Sequence, residues 1–300
     1  MVWPAYAALG QRGLTARADQ LVALASPCRL CPRACGADRA HGERGFCRAG
    51  LVPWVASFGP HFGEEPELVG SGGSGTVFFS GCNLGCIFCQ NYEISHLGQG
   101  REIPPAELAG WMLRLQRLGC HNLNLVTPTH QAPQIVAALA LAVERGFHLP
   151  VVWNCGGYES VAALELLAGI VDIYMPDFKY GSDQVAARLA GAPNYVAAAQ
   201  AAVREMHRQV GDLQCERGVA RRGLLVRHLV LPEGLAGSEE VLRFLAQEVS
   251  RATYVNLMAQ YYPAGQARRD PQLSRRVAGQ EFRAVVAAAQ RLGLARAGPR

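Results

Sequence analysis

From residue 76 onward the chain alternates short, continuous apolar runs with longer stretches in which apolar residues recur every three or four positions. The runs "TVFFS" (76–80), "NLNLVT" (122–127), "PVVWN" (150–154), "VDIYM" (171–175), "GLLVRHLVL" (223–231) and "TYVNLM" (253–258) read as strands. Their consecutive apolar positions call for burial on both faces. Helical periodicity covers 105–119, 131–146, 159–168, 193–210 and 238–249, and a last helix is predicted at 279–292. Strands separated by helices predict parallel βαβ units. Six such units exceed a small doubly wound sheet and fall short of the eight of a closed barrel. The expected fold class is therefore α/β, an incomplete (β/α)6 TIM-like barrel, with a doubly wound sheet as the alternative. In such folds chemistry gathers at the C-terminal ends of the strands.

The beginning of the chain reads differently. A helical stretch ends near Ala25, and the sequence then becomes rich in Gly, Pro and Cys. Two regions are expected: 1–70, a Cys-rich metal-binding N-terminal segment, and 71–300, the partial-barrel domain. "GSGGSG" (70–75) precedes a strand and reads as a turn, not as a phosphate-binding loop.

Half of the 300 residues are hydrophobic and 18% are charged, enough for one large domain with a small appendage. No apolar run approaches the roughly 18 residues of a membrane span. The first twenty residues lack the basic-then-apolar order of a signal peptide, so the expected location is cytoplasmic. Net charge is +5, with a local cluster in "QARRDPQLSRRV" (266–277). No aromatic residues interleave with those arginines, which argues for a solvated loop and against nucleic acid as a partner. The positive charge comes from 28 Arg and a single Lys, Lys179. In a chain that otherwise uses guanidinium, Lys179 marks a place where a compact ammonium with three rotatable donors is needed.

Seven of the ten cysteines fall into two groups. Clustered thiols in a reducing compartment point to metal binding, not to disulfides. Cys120, Cys155 and Cys215 stand alone and are expected to be inert and buried. The group Cys82, Cys86, Cys89 is a C-x3-C-x2-C run directly after the first predicted strand, with Gly81 and Gly85 easing the bend. Three thiolates suit a [4Fe–4S] cube, in which each iron takes one external ligand and one iron stays open to a small molecule. A zinc site with a distant fourth ligand is the alternative. The group Cys28, Cys31, Cys35, Cys47 has four thiolates and closes a second metal site, structural zinc or an auxiliary Fe–S cluster.

The C-x3-C-x2-C run with Phe88 before its third cysteine resembles the signature of the radical S-adenosylmethionine (SAM) enzymes. The stretches "CRLCPRACGADRAHGERGFC", "HFGEEPEL", "GSGTVFFSGCNLGCIFCQNYEIS", "NLVTPTH" and "VNLMAQYYP" resemble the pyruvate formate-lyase activating enzymes and, more closely, their uncharacterised homologues, from about residue 28 to 262. The resemblance implies that Cys82, Cys86 and Cys89 hold a [4Fe–4S] cluster whose open iron is chelated by SAM. One electron then gives methionine and a 5′-deoxyadenosyl radical, which abstracts hydrogen from a substrate. It also implies Phe88 near the adenine, Asp177 and Lys179 of "MPDFK" at the SAM site, and Asn154 and Arg227 in contact with SAM. His228 alternates with Arg227, so one of the two points into the barrel. Implied partners are a one-electron reductant such as flavodoxin or ferredoxin and, on the activating-enzyme side, a protein substrate that loses a glycine hydrogen. A small molecule or nucleotide is the alternative substrate.

The sequence departs from that family after the second predicted strand, where a Gly-Gly-Glu-Pro segment would receive the SAM amino group. Here the strand ends in "TPTH", so Thr127, Thr129 or His130 is expected to substitute. His61, Glu64 and Glu65 lie before the first predicted strand and are candidates to face the substrate or to form a solvated loop. The rival reading is a non-enzymatic iron–sulfur or zinc protein for electron transfer or RNA binding. A simple electron carrier would close its cluster with a fourth Cys, which argues against that rival.

Overall fold

The computed structural model describes residues 3–298. Within them, ten strands share one sheet: β1 (Trp54–His61), β2 (Ser74–Phe79), β3 (Arg101–Glu102), β4 (Leu123–Val126), β5 (Val151–Cys155), β6 (Ile173–Pro176), β7 (Gln214–Glu216), β8 (Val219–Leu229), β9 (Tyr254–Met258) and β10 (Ala297–Gly298). The order is β10-β9-β8-β6-β5-β4-β2-β1-β3, with β7 paired to β8. The strands β2, β4, β5, β6, β8 and β9 run parallel, each beside the next of the six in chain order, with β3 and β7 paired elsewhere, to β1 and β8. Every apolar run read as a strand is one of these six. Helices Pro105–Arg117, Ala132–Glu144, Val161–Leu167, Tyr195–Val210 and Ser238–Phe244 occupy the connections. The architecture is a mixed α/β fold on a parallel sheet.

The inner and outer faces of the strands have different fates. All five residues of β5 are buried, so both of its faces are covered. Side chains alternate along a strand. Trp153 therefore packs outward under the helices, while Val152 joins Ile173, Met175, Leu225, Tyr254 and Leu68 in a separate apolar cluster. That cluster floors the space the sheet curls around. Two residues further along the same faces stand Asn154, Asp177, Arg227 and Asn256. The inner face thus turns from apolar to polar toward the C-terminal strand ends.

The first 70 residues do not stand apart as a separate segment. The helix Gly10–Leu24 buries Leu14, Ala18 and Leu21 and packs on Ala132–Glu144. β1 then adds antiparallel to β2, and β3 antiparallel to β1. A boundary at residue 70 would cut this sheet, because the hydrogen bonds between β1 and β2 cross it. Residues 28–53, with their four cysteines, hold only the short turn Arg39–His41 as regular structure. Among the described residues, no helix is long and apolar enough to cross a membrane. The lone cysteines divide: Cys120 and Cys155 are buried, whereas Cys215 lies exposed on the edge strand β7.

Candidate active site

A cavity of about 390 Å³ opens at the C-terminal ends of the parallel strands. Cys86, Cys89 and Phe88 line one side of it, delivered by the loop that leaves β2. Asn154 closes β5, Asp177 and Lys179 follow β6, and Arg227 sits near the end of β8, all lining the same cavity. Positions far apart in the chain meet here because parallel strands end on one edge.

Their polar atoms form a connected chain. Lys179 Nζ donates to Asp177 Oδ2 at 2.6 Å, and Arg227 Nε donates to Asp177 Oδ1 at 2.7 Å. Arg227 Nη2 donates to Asn154 Oδ1 at 2.8 Å, and its Nη1 reaches Glu64 Oε2 at 3.4 Å. Burial would raise the Asp177 carboxyl, but Arg227 and Lys179 outweigh it and hold the group at about 2. Burial likewise works against the Lys179 charge, and Asp177 and the nearby Cys86 thiol more than restore it. Asp177 is thus an anion and Lys179 a cation at neutral pH, fixed in place beside the thiols.

The loop carrying Asp177 and Lys179 is held from behind. Tyr195, fully buried, accepts the Lys179 backbone N–H at 2.8 Å, and its hydroxyl lies 3.1 Å from the carbonyls of Asp177 and Gly156. His228 is also fully buried, and its ring bonds the Phe178 carbonyl at 2.6 Å and Ser238 Oγ at 2.8 Å. Of the adjacent pair on β8, Arg227 enters the cavity and His228 supports the loop.

The "TPTH" residues face elsewhere. Thr129 donates to Glu159, and His130 bonds the Ser80 carbonyl at 2.7 Å; both are buried outside the cavity lining. Thr127 has φ of 59°, a conformation a β-branched residue rarely adopts, and its N–H donates to the Asn154 carbonyl at 2.8 Å. What enters the cavity instead is His61 and Glu64, carried in by β1 and the turn after it. Burial raises the Glu64 carboxyl, opposed by Arg227. Glu65 is buried behind, where Asn256 Nδ2 donates to its Oε1 at 2.8 Å. Gln90, Asn91, Met258 and Gln260 also line it, beside the apolar Phe78, Val126 and Leu229. No chemical signal in the sequence singled the first four out, although the stretches ending "CQNYEIS" and "VNLMAQYYP" contain two of them each.

An uncharacterised protein of Methanocaldococcus jannaschii is 32% identical to the chain over 277 residues, covering 89% of this chain and 75% of the relative. Residues 76–213 match the Radical SAM superfamily. The chain belongs to that superfamily. Among solved structures, this radical SAM protein is similar to HydG, a maturase of the [FeFe]-hydrogenase, at 13% identity and a TM-score of 0.46, covering 73% of this chain and 48% of the other. A structure of TYW1 with a lysine-pyruvate adduct matches at 11% identity and a TM-score of 0.42, covering 72% of each chain.

Superfamily membership implies SAM and an Fe–S cluster, and the residues present fit that group. All ten cysteines are free thiols. Cys82 Sγ receives the Leu84 N–H at 3.3 Å, and Cys89 Sγ lies 3.2 Å from Ser95 Oγ. Burial pushes the Cys82 and Cys86 thiols up, and Lys179 draws the Cys86 thiol back. A coordinated iron overrides that burial effect outright. Soft thiolates with hydrogen-bond donors, on one loop at the cavity edge, are the donor set a cluster requires.

Proposed function

We propose that this radical SAM protein is an enzyme that cleaves SAM reductively at a [4Fe–4S] cluster held by Cys82, Cys86 and Cys89, and abstracts a hydrogen atom from a substrate. We read the six parallel strands as a (β/α)6 partial barrel that opens on this site. The observation that carries the reading is the convergence of Cys86, Cys89, Asp177 and Lys179 on one cavity at the strand ends. When bound, the cluster and SAM supply one-electron cleavage of the sulfonium to methionine and a 5′-deoxyadenosyl radical. The chain's own residues orient and enclose.

Lys179 places a fixed positive charge beside Cys86, suited to a carboxylate. The Asp177 carboxylate, anchored by Arg227, accepts hydroxyl or ammonium hydrogens. Phe88, buried and edge-on to Tyr261 at 5.8 Å between centroids, presents an apolar wall suited to an adenine ring. Asn154 and Arg227 complete the polar wall. Thr129 and His130, bonded away from the cavity, support the loop from beneath, and His61 and Glu64 face the substrate side. The electron comes from a one-electron reductant such as flavodoxin or ferredoxin. The likeness to activating enzymes supports a partner protein's glycine as the hydrogen donor.

Anaerobic reconstitution with iron and sulfide, dithionite reduction and chromatography for 5′-deoxyadenosine after adding SAM test the reading. Product from the parent and none from Cys82→Ala, Cys86→Ala or Cys89→Ala is expected. A fully loaded parent that yields no product, and whose EPR spectrum ignores SAM, overturns it.

A further inference from the structure

β1 and β9 each stand one strand in from opposite ends of the sheet, and the turn after β1 links them by side chains. Asn256 Nδ2 of β9 donates to Glu65 Oε1 at 2.8 Å, and the Tyr254 hydroxyl donates to Glu67 Oε2 at 2.7 Å. Leu68 is fully buried in the apolar floor, and Asn122 Nδ2 holds its carbonyl at 2.8 Å. The turn is therefore a built wall and not a solvated loop. Glu64 is its member that lines the cavity.

The polar atoms around Glu64 are already committed. Asp177 takes Lys179 on one oxygen and Arg227 on the other, and Asn154 Oδ1 takes a second Arg227 nitrogen. Glu64 receives what is left of the guanidinium, Nη1 at 3.4 Å from Oε2, which is a weak hydrogen bond. Its Oε1 has no hydrogen-bond partner among the described residues, although the side chain is only 9% exposed. Behind it, Glu65 Oε2 is likewise without a partner among the described residues. A carboxylate taken out of water is stable only when charge-paired and hydrogen-bonded. One long contact to a shared guanidinium leaves that pairing incomplete, and burial accordingly raises the Glu64 carboxyl.

Position decides what kind of molecule completes it. The polar chain runs Lys179–Asp177–Arg227–Glu64, with Lys179 at the Cys86 end. That end belongs to SAM under the proposed function, and Glu64 stands at the other, beyond the Arg227 guanidinium. The apolar Phe78, Val126, Leu229 and Met258 line the same cavity. A ligand suited to this end joins a positive hydrogen-bond donor to an apolar body. We infer that Glu64 sets the substrate specificity of this site by binding a protonated amine of the substrate. The inference rests on the proposed function, whose substrate it describes. The amine belongs to a small molecule or to a lysine side chain of a partner protein.

Calorimetric titration of the anaerobically reconstituted full chain, saturated with SAM, tests the inference. The probes are hexylamine, 1-hexanol and hexanoate, which share an apolar body and differ in the polar end. The parent should bind hexylamine at least about tenfold more tightly than either of the others, as a charge-assisted hydrogen bond requires. Glu64→Gln should erase that preference and change SAM affinity far less. A parent with no preference for the amine overturns the inference, and this arm needs no variant, so a misfolded Glu64→Gln leaves the test intact. Hexylamine that displaces SAM also overturns it, as does a Glu64→Gln variant that loses SAM affinity as much as amine affinity, because Glu64 then serves SAM. An end-blocked Gly-Lys-Gly peptide, titrated in parallel, separates the two sources. Binding tighter than that of hexylamine assigns the amine to a partner's lysine, and weaker binding assigns it to a small molecule. An amine preference in a parent that forms no 5′-deoxyadenosine counts against the proposed function and leaves the amine site standing. Formation of 5′-deoxyadenosine without an amine preference does the reverse.

Discussion

Lys179 Nζ and the Asp177 carboxylate lie 2.6 Å apart at the mouth of β6, and the same carboxylate takes Arg227 on its other oxygen at 2.7 Å. One anion thereby fixes two cations in different directions, Lys179 toward the thiols and Arg227 toward Asn154.

Lys179→Arg should reduce 5′-deoxyadenosine formation although charge is conserved. The planar fork of Arg cannot reproduce a point charge held between Asp177 and Cys86. Loss of a charge-assisted bond worth about 1.5–3 kcal/mol corresponds to roughly a 10- to 100-fold slower reaction. Single-turnover rates with saturating SAM give the answer, and an unchanged rate would remove Lys179 from the site.

Tyr195→Phe deletes the hydroxyl that pins the Asp177–Lys179 backbone. A buried N–H left without an acceptor costs about 1–3 kcal/mol. The variant should melt a few degrees lower and bind SAM more weakly. Calorimetry paired with a SAM titration distinguishes this from simple core loosening, in which affinity stays constant below the melting range.

Gly81 has φ of 77°, and its missing Cβ leaves room for the Cys47 carbonyl. Gly81→Ala is strained in backbone and in space, so a loss of more than about 1 kcal/mol is expected. Urea unfolding measures it. Increased proteolysis within residues 28–53 should accompany the loss, because the substitution pushes on that segment.

Burial pushes the Glu159 carboxyl from about 4.5 up to about 7, against the hydrogen bonds of Thr129 and Trp153. The folded state therefore binds this proton more tightly than the unfolded state. The stability it contributes is full below pH 4.5 and is lost as pH rises toward 7, by at most about 3 kcal/mol. Glu159→Gln should flatten stability across that window. A slope identical to the parent's would show that another group is responsible.

The parallel strands were legible because burial on both faces leaves an apolar run that few other structures require. β1 was not. "WVASFGPH" lies one strand in from the edge, paired with β3 only at Trp54 and Val55, and has mixed exposure, so it writes no clean period. For that reason the sequence offers His61 and Glu64 as candidates to face the substrate or to form a solvated loop, and their place before β2 does not choose between the two. Cys82, Cys86, Cys89, Asp177 and Lys179 announced themselves by residue type and spacing. Thr129 and His130 have suitable chemistry, but the turn after β4 directs them to Glu159 and Ser80, and side-chain direction after a turn leaves no trace in composition. Met258 and Gln260 are ordinary residues that matter only because β9 ends at the cavity.

The use of arginine nearly everywhere else gives Lys179 an experimental value of its own. Every side-chain amine signal from this chain originates at one position on the cavity wall. Reductive methylation with carbon-13 formaldehyde would place a single side-chain NMR reporter there, told apart from the methylated α-amine by the lower pKa of the latter, and its shift would register each molecule that enters.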